Sequence, residues 1–256
     1  YQKIINKRNN ALKIDKLITS SDDLVPSTIE YKDKKLKAKM RLKGDMVDHL
    51  LKSKKWSYRV KIKNGDTLWG MREFSIHAPA TRNYIYEWLF HRMLKQEDVI
   101  SLRYKFIDVS INGKNLGLYA LEEHFDKRLL ENNERKEAPI IAFAENAHWE
   151  SGFTPDNTHE TNTFITSSIR PFSKNQMLSN PALKEQFIKA HSLLEKFKNR
   201  KLKTSEVFDI DKLAKFLAIS NLMGGQHSHQ WYNQRFYYNP IISKLEPIGY
   251  DARAGE

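Results

Sequence analysis

A chain of 256 residues, 40% of them hydrophobic, can bury a large core as one big domain or as two lobes, and is not a disordered tail. Its 43 lysines and arginines against 31 acidic residues give a formal net charge of +12, which points to an anionic partner: a nucleotide, polyphosphate, nucleic acid, an acidic protein or an anionic surface. The absence of cysteine excludes disulfides, zinc thiolate sites and thiol nucleophiles, and no apolar run is long enough to span a bilayer.

In chain order, residues 29–42 place basic residues between Tyr31, Leu36, Ala38, Met40 and Leu42, a near-alternation that predicts a strand pair ending at Arg41-Leu42-Lys43-Gly44-Asp45. A glycine after Arg41 and Lys43 at a strand end can bring backbone amides and cations to a phosphate, and it can equally be a plain turn on a basic surface. After a helical linker with His49-Leu50-Leu51, residues 55–62 alternate strictly. Trp56, Tyr58, Val60 and Ile62 take one face, and Lys55, Ser57, Arg59 and Lys61 take the other. That second face is a cationic ladder, either solvated surface or the floor of an anion site, closed by the turn Asn64-Gly65.

A short strand over 74–76 leads to a helix from about Tyr84 to Lys95, capped by Thr81 or Asn83, with Ile85, Trp88, Leu89 and Met93 as its apolar stripe. Glu87 and His91 stand one turn apart on another face, so Glu87 is a surface carboxylate or the partner of a strand lysine. A long hairpin follows, residues 104–111 and 116–121 around Asn112-Gly113, then Glu122-Glu123 and a helix over 127–132 in the manner of a hinge. Residues 138–180 carry a candidate strand at 140–143 and a polar stretch that reads as a long loop or insertion. Two helices follow, 181–198 and 211–223, the second apolar enough in its later turns to be a buried central helix.

That helix delivers Gly224-Gly225 and a polar loop holding His227, Ser228, His229 and Asn233, and a hairpin turning at Asn239-Pro240 returns the chain to Gly249-Tyr250-Asp251. One amide and one carboxylate then face each other across a short distance. Such a pair suits a hard divalent cation that holds a phosphate chain through oxygen ligands. The bland alternative is a surface hairpin with an ordinary loop. No internal repeat is present.

The order is a basic strand-rich half with one helix, an acidic joint, and a helical half ending in loop, hairpin and Asp, which is the order of a protein kinase-like fold. Over most of its length the chain resembles the CotH family, the spore coat protein H-like atypical kinases. The resemblance rests on residues 41–45 and 55–62, on Arg82-Asn83-Tyr84 with Glu87, on Ile111-Asn112-Gly113 followed by 117–123, and on 233–237 followed by 247–251.

The resemblance implies an α+β, atypical protein kinase-like two-lobed fold, with a strand-rich N-terminal lobe (1–121), a hinge and following helix (122–135) and a mainly helical C-terminal lobe (136–256). It implies ATP and Mg²⁺ or Mn²⁺ as ligands, a protein hydroxyl as acceptor, and a coat or envelope setting outside the cytoplasm; nucleic acid is not an expected partner. By the same resemblance Lys55 or Lys61, with Arg59 nearby and Arg41 and Lys43 at the neighbouring strand end, hold the phosphates. Glu87 pairs with the lysine, Glu123 lies at the hinge near adenine and ribose, and Asn233 and Asp251 hold the metal.

The chain departs from the family where it counts. Relatives carry an Asp a few residues before the loop Asn, and here the position reads Gln226-His227-Ser228-His229, without a carboxylate. A slow kinase, an enzyme using His227 or His229 as its base with Ser228 between them, and a nucleotide-binding pseudokinase are the three readings that follow. Two further classes are a zinc hydrolase using His227 and His229, weakened by the missing third ligand, and a non-enzymatic basic module for an anionic polymer or envelope surface. Because a kinase fold continues past its metal-binding Asp, the chain also reads as truncated after Asp251.

Overall fold

The computed structural model describes residues 1–44, 48–51, 55–145 and 163–255. Asp45 of the first motif and most of the polar insertion, 146–162, lie outside the described residues. The chain forms two compact units: Tyr1–Trp88 with Arg103–His124, and Leu89–Leu102 with Phe125–Glu256.

The first unit is built on a curled six-stranded antiparallel sheet, ordered β1 (Val25–Tyr31), β2 (Lys34–Leu42), β3 (Tyr58–Ile62), β4 (Glu73–His77), β6 (Lys114–Glu123), β5 (Tyr104–Ile111). The strict alternation of β3 decides which face is inside: Tyr58, Val60 and Ile62 are buried and Lys61 is exposed. With Leu36, Phe74, Ile76 and Leu121 they form a core closed by Ile4 and Ala11 of α1 (Gln2–Lys13) and by Leu50 of α2 (Asp48–Leu51). Asn112 and Gly113 both take positive φ (51° and 76°), the requirement of the two-residue turn that joins β5 to β6.

Helix α3 (Tyr86–Gln96) forms where expected and presents a different face. Ile85 is 56% exposed and Leu89 39%, while Glu87, Phe90, His91 and Leu94, at i, i+3, i+4 and i+7, are buried. Glu87 is therefore not a surface carboxylate. Asn83 sits in the left-handed region at φ 51° and ends the 3₁₀ turn Pro79–Arg82, and Thr81 turns its hydroxyl back to Ala78 O.

The second unit carries a four-stranded antiparallel sheet, ordered β10 (Lys244–Pro247), β9 (Arg235–Asn239), β7 (Ile140–Phe143), β8 (Ile169–Pro171). Around it stand α4 (Lys127–Asn132), α5 (Lys174–Ser179), α6 (Pro181–Lys198), α7 (Thr204–Val207) and α8 (Ile210–Leu222). Asn180 caps α6 by accepting from the amides of Ala182 and Leu183 ahead of Pro181, and Asp209 caps α8 through the amide of Lys212. Ala190 and Leu194 of α6 pack with Ile141, Phe236 and Leu245 of the sheet. Helix α8 is not buried all round: Phe216, Ile219 and Ser220 face the core, and Leu222 is 75% exposed.

Candidate functional site

Polar chemistry in the first unit gathers on a cross-strand row. Register places Arg41 opposite Arg59, Arg59 opposite Ser75, Ser75 opposite Glu122, and Glu122 opposite Tyr104. Lys43 follows β2 directly, held through its amide to Ser57 O at 2.9 Å, and its ammonium forms a buried ion pair with Glu122. Burial alone would raise the Glu122 carboxyl, yet the cations of Lys43 and Arg82 hold it well below the ordinary carboxylate range. Burial in turn lowers the Lys43 ammonium, against the pull of Glu122. His77, with Nε2 3.1 Å from Tyr104 Oη, is held neutral by burial and by the neighbouring Lys43 charge.

A second carboxylate, Glu73, serves three groups: Arg59 at 3.8 Å, Lys61 at 3.6 Å and His124 at 3.5 Å. Lys61 remains half in solvent. Lys55 instead donates to Leu118 O at 3.1 Å and lies 5.9 Å from the Tyr119 ring, and Arg41 donates to Leu42 O. Glu123 is bound by the Arg103 guanidinium, whose Nη1 also donates to Trp69 O at 2.9 Å, so this carboxylate braces the turn between β3 and β4. Lys43 is thus paired in the interior, while on the ladder Lys61 stays half in solvent beside Glu73. Glu122, Glu73, His77 and Arg82 went unmarked in the sequence as site residues. The signal was present for Glu122 alone, since in Glu122-Glu123 alternation puts one carboxylate on each face of the strand, but which face is polar depends on pairing across four strands.

In the second unit α8 ends at Gly224-Gly225, and two 3₁₀ turns, Gln226–His229 and Trp231–Asn233, carry the loop into β9. The turn runs close under the chain that follows β10: Gly225 N donates to Ser220 O, Gly255 N donates to Met223 O, and a Cβ added at 225 would lie 3.0 Å from the Ala252 Cβ. On the other side, a Cβ at Gly249 would lie 2.1 Å from Leu94 Cδ1, so only glycine lets the segment before Asp251 lie against α3.

These approaches bring the predicted loop residues together around His227. Its carbonyl accepts from Asn233 Nδ2 at 3.1 Å, and its Nε2 lies 3.9 Å from Asp251 Oδ2. Asn233, held by its nitrogen, keeps its amide Oδ1 as an acceptor, and amide and carboxylate oxygens are the ligand types Mg²⁺ or Mn²⁺ would take. Ser228 is buried, with its hydroxyl donating to Gly225 O at 2.7 Å and lying 3.3 Å from Ser220 Oγ. His229 turns its ring toward Phe216, 5.8 Å between centroids, with Nε2 buried, and burial lowers its proton affinity. Of the three, His227 is the one beside the carboxylate. Among the described residues no three His, Asp or Glu side chains converge as a metal site, which leaves the zinc hydrolase reading without its third ligand.

Against known proteins, the family model described as CotH kinase protein matches residues 40–251, from the end of β2 to Asp251. No curated protein matches the chain.

Proposed function

The chain belongs to the CotH kinase family, and from that premise we propose that it binds ATP with a divalent metal and transfers the γ-phosphoryl group to a protein hydroxyl. The observation that carries the reading is that Asn233 and Asp251 both contact His227, Asn233 at its backbone carbonyl and Asp251 beside its ring Nε2, since an Asn and an Asp are the metal ligands of a kinase-type site. When bound, Mg²⁺ or Mn²⁺ supplies charge neutralisation along the phosphate chain. Asn233 and Asp251 fix the ligand oxygens. In the first unit, Lys61 with Arg59 is assigned to the phosphates, because Lys43 is occupied by Glu122 and Lys55 by a backbone carbonyl. His227 takes the part of the missing loop carboxylate. The acceptor hydroxyl gives its proton to the His227 imidazole as its oxygen bonds to the γ-phosphorus and the bond to the leaving ADP breaks. A place at the cell envelope or spore coat belongs to the same reading.

Phosphate transfer from ATP to a protein acceptor, followed with Mn²⁺ and with Mg²⁺, tests it. His227→Ala is expected to lower kcat about 10²- to 10⁴-fold, His229→Phe to leave it nearly unchanged, and Lys61→Met to raise KM for ATP. Metal-dependent binding with no turnover in the wild type would move the protein to the pseudokinase reading, which the absence of a carboxylate in residues 226–229 favours.

A further inference from the structure

Arg235, the first residue of β9, is buried, and the carboxylates of Glu145 and Asp251 act on its charge electrostatically. Its guanidinium lies among three aromatic rings, 5.0 Å from the centroid of Tyr250, 5.8 Å from Phe172 and 5.9 Å from Phe125, while Nη1 donates to Tyr232 O at 2.7 Å and to Gln234 O at 3.1 Å. Burial of a guanidinium is costly unless its donors and charge are answered, and here the answer comes from backbone carbonyls, aromatic faces and the charges of Glu145 and Asp251.

The position of its contacts points to a role. Tyr232 and Gln234 are the two neighbours of Asn233, and Tyr250 is the neighbour of Asp251. The backbone carbonyl of Arg235 also accepts from Ile248 N at 2.9 Å, on the strand that runs on to Asp251. One side chain thus clamps the turn on both sides of one proposed metal ligand and packs over the residue before the other. We propose that Arg235 is the positioning residue for the metal-binding pair, setting the separation of Asn233 and Asp251 through the Nη1 bonds to the carbonyls on either side of Asn233 and its cation-aromatic contact with Tyr250. Asp251 itself sits in the left-handed region at φ 49°. The planar group matters here: a lysine carries the charge but has no flat guanidinium to lie among the rings of Tyr250, Phe172 and Phe125 while it donates to the carbonyls.

The inference rests on the metal-nucleotide reading for its functional consequence, and it has a structural consequence that does not. Hydrogen exchange on the full chain without ligand is the first arm. Arg235→Met should lose protection in the segments around 226–234 and 249–253 together, leaving the sheet of the first unit unchanged. Loss confined to the residues touching position 235 would overturn the inference, whatever the protein binds. Calorimetry with ATP and Mn²⁺ is the second arm. Arg235→Met should weaken the Mn²⁺-dependent part of ATP binding about 10- to 100-fold at unchanged metal-free binding, Tyr250→Leu should weaken it in the same direction, and Arg235→Lys should fail to restore it. Restoration by lysine would assign the effect to charge alone and overturn the positioning role. Equal binding by Arg235→Met and wild type would overturn it as well. Absence of Mn²⁺-dependent binding in the wild type would instead count against the metal-nucleotide reading, with the exchange arm still deciding whether Arg235 couples the two segments.

Discussion

Both units pair buried charges, as Arg135 with Glu246 does in the second, but the charges at their candidate sites are handled differently. In the first, cations and carboxylates answer one another: Lys43 with Glu122, Arg103 with Glu123, and Arg59, Lys61 and His124 around Glu73. In the second, the Arg235 guanidinium is held by carbonyls and aromatic rings, and the Asp251 carboxylate has a histidine nitrogen at 3.9 Å. Compensated pairs hold a sheet in register, and breaking one strands its partner in the interior. The contrast separates residues that hold the fold from residues suited to chemistry, a distinction that charge or burial alone would miss.

The largest effect expected from that contrast is in the first unit. Glu122→Gln leaves Lys43 buried without its counter-charge and is expected to cost about 3–5 kcal/mol, read as the shift in a urea unfolding midpoint. Lys43→Met combined with Glu122→Leu should cost much less than the single change, and an equal cost would show that the pair is not the unit of stability. In the second unit Gly249→Ala drives a methyl into Leu94 and is expected to cost about 1–3 kcal/mol by the same measurement, with loss of metal-dependent binding beyond what the stability change explains. A silent Gly249→Ala would break the argument that this close approach sets Asp251.

Smaller, and sharper in sign, is the response to acid. Burial and the Lys43 charge hold His77 well below its ordinary value of 6.5, and burial with Arg59 does the same for His124. The unfolded chain takes up those protons near pH 6.5 and the folded chain does not, so stability should fall as pH drops below about 6.5. Glu122 acts lower. Its contribution is complete above its ordinary value of 4.5 and is lost as pH falls toward its depressed folded value. Urea midpoints measured from pH 8 to pH 2 should therefore decline in two stages, the first below about pH 6.5 and the second below about pH 4.5, and a flat profile between pH 7 and pH 5.5 would contradict the neutral interior assigned to the two histidines.

What the sequence made legible follows from how local each signal is. The hairpin at Asn112-Gly113, the alternating face of β3, the capped helix Pro181–Lys198 and the order loop, hairpin, Asp251 are written in neighbouring residues, and the structure has them. Helix α1 has no side-chain cap at Tyr1 and no acidic residue in its first turn, so the usual start signals are missing. The buried face of α3 was misread because polar Glu87 and His91 lie on it, where a hydrophobic stripe would be sought. The partner of Lys43 stands 79 positions away, and only the pairing of four strands brings it near. Arg235 sits in a strand buried on both faces, so alternation could not tell an interior arginine from a surface one. His227, Asn233 and Asp251 were legible as candidates, and their convergence on a single histidine was not.

The most direct test is calorimetric titration of ATP at low salt, with and without Mg²⁺ or Mn²⁺, on the wild type and on Asp251→Ala. Metal-dependent binding by the wild type that Asp251→Ala weakens by at least about 10²-fold is the predicted result. A folded wild type that binds no nucleotide, or that binds it equally well with Asp251 removed, would contradict the account and leave the chain as a basic kinase-like scaffold.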